Sequence, residues 1–127
     1  MPSGKRIFGD VGEAIAAKFL QAKGYRIVER NYRRTWGELD LIAEHGRVLV
    51  CCEVKTRKRQ RGADGIPPEH NVNQRKAIKL RKLCETYVIE QRMLASRDWR
   101  IDVLAVVVDP DQKKAWVRHI ENAVWGA

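Results

Sequence analysis

The sequence predicts an α/β fold, a mixed central sheet flanked by helices. Three observations carry this. Helix-like and strand-like stretches follow the order helix, three strands, helix, two strands. The strand candidates are short apolar runs bounded by turn residues. No internal repeat divides the 127 residues, a length suited to one domain with a modest core. Residues 1–127 are accordingly read as a single domain.

Asp10 is placed to cap a first helix running to about Lys23, with Glu13 three residues on as in a capping box. Ile15, Ala16, Phe19 and Leu20 give that helix one apolar face, and Gly24 stops it. Tyr25 to Arg30 alternates as a short strand, and Asn31 to Arg34 leads into a loop. Gly37 to Ala43 and Val48 to Lys55 form a hairpin if His45-Gly46 makes a two-residue turn. Residues 56–70, rich in Arg, Gly and Pro and without apolar periodicity, are expected to form a mobile basic loop. A long helix follows from about Asn73 to Met93, with Ala77, Leu80, Cys84, Tyr87 and Val88 as its apolar stripe and Arg75, Lys79 and Lys82 as a basic one. Trp99 to Val108 is apolar enough for the middle of a sheet. Asp109-Pro110-Asp111 turns the chain into a last strand, Ala115 to Ile120.

The net charge is +9 and the isoelectric point about 9.8. Such a chain favours a polyanionic partner. Lys55 to Arg61 holds five basic residues and no acid, as does Gln74 to Lys82. Arg57, Lys58, Arg59, Arg61, Arg75, Lys76 and Lys79 are therefore the expected contacts to a nucleic-acid backbone. Trp36 is open to two roles, stacking on a base or ordinary packing. No apolar stretch is long enough for a membrane helix, so no membrane partner is expected. No secretory leader is recognisable, and the expected location is cytoplasmic. The cysteines, Cys51, Cys52 and Cys84, are odd in number and suit small buried thiols better than a disulfide framework or a zinc site.

The chemistry concentrates in Gly37-Glu38-Leu39-Asp40-Leu41-Ile42 and Cys52-Glu53-Val54-Lys55. With the turn at His45-Gly46, Asp40 faces Cys51 and Glu38 faces Glu53, so Glu38, Asp40, Glu53 and Lys55 share one end of one sheet face. Leu39, Leu41, Ala43, Val48, Val50, Cys52 and Val54 share the other. Like charges so placed repel, and a hard divalent cation, Mg²⁺ or Mn²⁺, would offset that with carboxylate oxygens as ligands. Lys55 could then orient a water or stabilise charge on a phosphoryl group. A surface pair of Glu53 with Lys55 is the plainer alternative. The flanking run Val48-Leu49-Val50-Cys51-Cys52 argues for burial on both faces and against it.

Asp40 followed by Glu53-x-Lys55 resembles the PD-(D/E)XK nuclease signature, with Leu39 in place of its proline. More narrowly, the chain resembles the bacterial YraN family of small uncharacterised proteins. The matching pieces include Gly9-x-x-Gly12-Glu13-x-x-Ala16, Arg30-Asn31-Tyr32-Arg33, Gly37-Glu38-Leu39-Asp40-Leu41-Ile42-Ala43, Glu53-Val54-Lys55-Thr56-Arg57 and His119-Ile120-x-Asn122-Ala123. The resemblance implies a restriction-endonuclease-like αβββαβ core and metal-dependent hydrolysis of DNA phosphodiesters. Asp40 and Glu53 would be metal ligands and Lys55 would lie beside the scissile phosphate. Likeness to archaeal Holliday-junction resolvases adds Glu13 to the catalytic and metal-binding set, beside its capping role, with Glu38 as a further ligand. It also implies branched DNA as substrate and a homodimer, since two strands must be cut. The alternatives are a nucleic-acid-binding module without turnover and a docking partner of DNA-processing machinery.

Overall fold

The computed structural model describes residues 4–60, 74–91 and 98–123. The chain runs α1 (Gly4–Ala22), β1 (Arg26–Arg34), β2 (Gly37–His45), β3 (Val48–Lys58), α2 (Gln74–Glu90), β4 (Trp99–Asp109) and β5 (Lys114–Ile120). The five strands form one sheet in the order β1-β2-β3-β4-β5. Among the described residues only β3 and β4 pair parallel; the other neighbours are antiparallel. A parallel pair needs a crossover, and α2 supplies it. The predicted mixed α/β architecture and the αβββαβ order are what the structure contains.

Each face of the sheet carries one helix. Ala16, Ala17 and Leu20 of α1 bury against Leu41, Ala43, Val50, Cys52, Leu104 and Val106. Ala77, Leu80, Leu83, Cys84 and Tyr87 of α2 bury against Tyr32, Leu39, Ile42, Leu49, Cys51 and Ile101. Successive strand residues point to opposite faces, so an apolar run such as Leu49-Val50-Cys51-Cys52 feeds both cores.

Several local expectations are corrected. The first helix begins at Gly4, so Asp10 lies within it and is no N-cap. The segment 31–34, expected as loop, continues β1 to Arg34. Thr56, Arg57 and Lys58, assigned to the loop 56–70, are the end of β3, where they continue the parallel ladder opposite Val106, Val107 and Val108. Residues 61–70 lie outside the described residues. The hairpin turn is Gly46-Arg47, with His45 paired to Val48. A two-residue I′ or II′ turn at His45-Gly46 needs positive φ at its first residue, and His45 does not supply it. Gly46, at φ 63°, instead takes the first turn position, where glycine is favoured. The register therefore shifts by two, bringing Ile42 opposite Cys51 and Leu41 opposite Cys52. Cys51 and Cys84, expected as separate thiols, are joined by a disulfide between β3 and α2; only Cys52 is free, and it is buried. Their Cα atoms stand 6.3 Å apart across the α2-side core, within disulfide range.

Two backbone features position the site. Gly12 of α1 is buried over β3, and a methyl group there would come within 2.7 Å of Thr56 Cβ. Only glycine lets the helix approach this closely, and the next residue is Glu13. Asn31 sits at φ 53° in the middle of β1. Arg30 pairs with Leu41 and Tyr32 with Leu39, which sets Asn31 opposite Asp40. At this point the ribbon turns over. Leu39 belongs to the α2-side core and Leu41 to the α1-side core, although plain alternation would leave them on one face. Asparagine tolerates the left-handed conformation better than most residues.

At the far end of the sheet, the buried Asp102 of β4 accepts from Arg100 Nε at 2.9 Å and from the Asn122 amide at 2.9 Å. The arginine and backbone partners are those that a lone aspartate in an apolar strand leads one to expect. His119 Nε2 is 2.7 Å from the same carboxylate. Lys23 Nζ donates to His119 Nδ1 at 2.8 Å, so Nδ1 accepts and Nε2 carries the proton. Burial pushes the Asp102 carboxyl up, but the bonds from His119, Arg100 and the Asn122 amide outweigh it and hold the carboxyl below its ordinary value.

If the left-handed turn at Asn31 reverses the ribbon, a β-branched residue there is costly and glycine is not. Asn31→Val is expected to lower the unfolding free energy by about 1–2 kcal/mol. Asn31→Gly is expected to change it by less than about 0.5 kcal/mol. Urea unfolding of the two variants beside the parent chain checks this, and equal losses would speak against the assignment.

Candidate metal centre

Pairing between β2 and β3 runs from His45 and Val48 to Leu41 and Cys52. Beyond it, the Val54 amide donates to Asp40 Oδ2 at 2.7 Å. A side chain thus takes the place of a ladder carbonyl, and Asp40 is fastened to the middle residue of Glu53-Val54-Lys55. The ribbon reversal carries Glu38 and Asp40 toward α1, where Glu13 meets them. One carboxylate oxygen from each of Glu13, Glu38 and Asp40 lies within 4.8 Å of the other two. All three residues are partly buried.

The electrostatics are those of crowded acids. Burial is the largest cause lifting the Asp40 carboxyl to about 8. The hydrogen-bonded Glu38 and the Glu13 charge push the same way, and the Val54 amide pulls against them. Glu13 is raised by burial, then by Glu38 and Asp10, and partly relieved by Arg33 and Arg30. Arg33 pairs with Glu38 across β1 and β2. With Asp10 inside α1, the capping box gives no account of Glu13, which sits one residue past the Gly12 contact with β3.

Glu53 and Lys55 stand differently. Cys51 faces the α2 core, and alternation places Glu53 and Lys55 on that side, while Val54 and Thr56 face α1. Glu53 forms an ion pair with Lys76 of α2. Its other oxygen, Oε2, is buried and has no hydrogen-bond partner among the described residues. The expectation of one shared face for Glu38, Asp40, Glu53 and Lys55 is therefore replaced by two groups on opposite faces, linked through the Asp40–Val54 bond. Alternation alone could not have located the reversal. The one hint in the sequence was an asparagine in the middle of a strand.

Three hard oxygen donors, one of them poorly ionised without a counter-charge, form a donor set that fits Mg²⁺ or Mn²⁺. The orphaned Glu53 oxygen, predicted as a metal ligand, lies outside this group, on the α2 side of the sheet. Among the predicted backbone contacts, Arg57 and Lys58 are exposed at the end of β3. Arg59 instead donates to Asp109 Oδ2 at 3.0 Å, with its guanidinium 5.5 Å over the Trp116 ring. Arg75 and Lys79 line a groove on α2 together with Trp36, and Arg61 lies outside the described residues. His119, which carries no metal or triad spacing in the sequence, is a partner of Asp102.

The Asp40 shift has a definite sign. Its ordinary value is 3.8, and the fold raises it to about 8. The folded chain therefore keeps a proton that the unfolded chain releases, and stability falls as pH rises between those values. In the presence of a chelator, urea unfolding from about pH 5 to about pH 8 should show declining stability. Asp40→Asn should remove most of the decline. An unchanged slope in the variant would place the proton elsewhere.

Known proteins of similar sequence match this chain over nearly its whole length. It is 44% identical over 119 residues to a UPF0102 protein of Moorella thermoacetica, covering 94% of this chain and 96% of that protein. It is 38% identical over 115 residues to one from Alkaliphilus metalliredigens, covering 91% and 95%. It is 39% identical over 118 residues to one from Geotalea daltonii, covering 93% and 89%. No helix among the described residues is long and apolar enough to cross a membrane. The family model described as uncharacterised protein family UPF0102 matches residues 12–106, a span that holds Glu13, Glu38, Asp40, Glu53 and Lys55, and the chain belongs to that family.

Proposed function

We propose that this protein is a metal-dependent nuclease, an endonuclease of the PD-(D/E)XK type that hydrolyses phosphodiester bonds in DNA. The observation that carries the reading is the Asp40–Val54 bond. It fixes a carboxylate of the Glu13–Glu38–Asp40 group against the backbone between Glu53 and Lys55. An acid cluster and a Glu-x-Lys triplet joined in this way, in a chain of net charge +9, suit chemistry on a polyanion.

Asp40, Glu13 and Glu38 would hold the cation. A bound Mg²⁺ or Mn²⁺ supplies Lewis acidity to a phosphoryl oxygen and lowers the pKa of an attacking water. Lys55 stabilises negative charge on the phosphoryl group. Arg33, Arg30 and the Val54 amide hold the carboxylates in place before substrate arrives. Arg57 and Lys58 at the end of β3, and Arg75 and Lys79 on α2, bind the phosphate backbone. A branched substrate would call for a symmetric pair of chains, each cutting one strand.

One observation favours a second reading. Glu53 is bonded to Lys76 and lies outside the Glu13–Glu38–Asp40 group. A chain that keeps that pair when bound to nucleic acid would be a binding module without turnover.

Labelled duplex, single-stranded, flap and four-way-junction DNAs, incubated with Mg²⁺ or Mn²⁺, separate the two. The nuclease reading expects metal-dependent cutting that falls roughly a hundredfold or more in Asp40→Ala and in Lys55→Ala. Salt-sensitive binding without cutting would overturn it in favour of the module.

A further inference from the structure

We propose that the groove between the β1–β2 turn and α2 seats an unpaired nucleobase, so that the nucleic acid bound here carries a single-stranded segment. The inference deepens the nucleic-acid reading above and rests on it. The groove has a volume of about 510 Å³ and is lined by Trp36, Arg75, Ile78, Lys79 and Lys82. That is within the range of small-molecule sites.

Its lining is unusual for this surface. Trp36 is 41% exposed and Ile78 is 45% exposed, and they are two of only four large apolar side chains so exposed among the described residues. Both lie in the one groove. The three cations follow each other along α2 and have no carboxylate partner among the described residues. Several neighbouring cations are paired instead: Arg33 with Glu38, Arg34 with Glu90 and Lys76 with Glu53. The groove is also held in shape. Gly37, next to Trp36, lies so close to α2 that a methyl there would sit 3.0 Å from Leu83 Cδ1 and 3.2 Å from Lys79 Cδ. The turn that carries the indole is thereby fixed against the helix that carries the cations.

An exposed indole and an aliphatic wall amid cations without a carboxylate partner among the described residues suit a planar apolar group attached to an anion. An apolar peptide would leave the three cations uncompensated. A blunt duplex offers phosphates but keeps its base faces stacked inside. An unpaired nucleotide offers both, its base on Trp36 and its flanking phosphates on Arg75, Lys79 and Lys82. The next residue after Arg75 is Lys76, which is bonded to Glu53. The groove and the Glu53-Val54-Lys55 segment thus meet the same turn of α2.

The test is binding by the full chain, without divalent metal, of a labelled oligo(dT) and of a blunt duplex of equal length. Trp36→Ala should weaken oligo(dT) binding by roughly tenfold and duplex binding by less than about twofold. Trp36→Phe, which keeps a stacking ring, should retain most of the affinity. Lys79→Ala should lower the salt dependence of binding to both ligands by about one unit of slope. Equal losses for both ligands in Trp36→Ala, or none for oligo(dT), would overturn the proposal. Displacement of oligo(dT) by equal concentrations of free thymidine monophosphate would overturn the strand in favour of a free nucleotide. Because no turnover is measured, loss of the Trp36 effect with cutting intact overturns only the base seat. A Trp36 effect without cutting supports the base seat and overturns only the nuclease.

Discussion

The hydrogen bond from the Val54 amide to Asp40 Oδ2 closes the gap where β2 and β3 stop pairing. A buried amide left without an acceptor would be costly, and a side chain reaching across a reversed ribbon satisfies it. Its geometry depends on Asn31, whose left-handed backbone lies opposite Asp40 and turns β1 and β2 over together. It depends also on Gly12, which lets α1 descend onto Thr56 and bring Glu13 within reach. Three separate stretches of sequence thus converge on one carboxylate.

That convergence is electrostatically strained in the apo chain. Two full charges 4.8 Å apart repel by about 3 kcal/mol at an effective dielectric of 20. Burial adds to this, which is why the Asp40 carboxyl resists ionisation. Arg30 and Arg33 offset part of the repulsion around Glu13, and Arg33 is itself committed to Glu38. A chain of net charge +9 has many cations to spare, yet it leaves the three acids short of them. A divalent cation is the simplest counter-charge for such a group, with oxygen donors it prefers. Acids crowded for no purpose would gain stability by losing one of their number.

Most of the fold was legible because it follows from local pattern. The apolar stripe of α2, the strand length of Trp99 to Val108 and the run Val48 to Cys52 each name their element and their buried faces. The order of elements then leaves little freedom in topology. What escaped was non-local or turned on a single dihedral. The Gly46-Arg47 turn differs from the expected one by one residue, which moves the register by two. The reversal at Asn31 has no signature in periodicity, and it moves Glu38 and Asp40 away from the face of Glu53 and Lys55. The Cys51–Cys84 disulfide spans two elements far apart in sequence, which counting cysteines cannot foresee.

The arrangement gives the two faces of the sheet different tasks. The α1 face gathers acids, and the α2 face gathers cations around an exposed indole. Glu53-Val54-Lys55 runs between them, with Val54 tied to Asp40 and Glu53 to Lys76. An acid cluster of this kind should hold a cation. The direct measurement is titration of the full chain with Mn²⁺ followed by electron paramagnetic resonance. One ion should be held per chain, with binding lost in Asp40→Asn and in Glu13→Gln. No bound ion, or an ion retained in both variants, would contradict it.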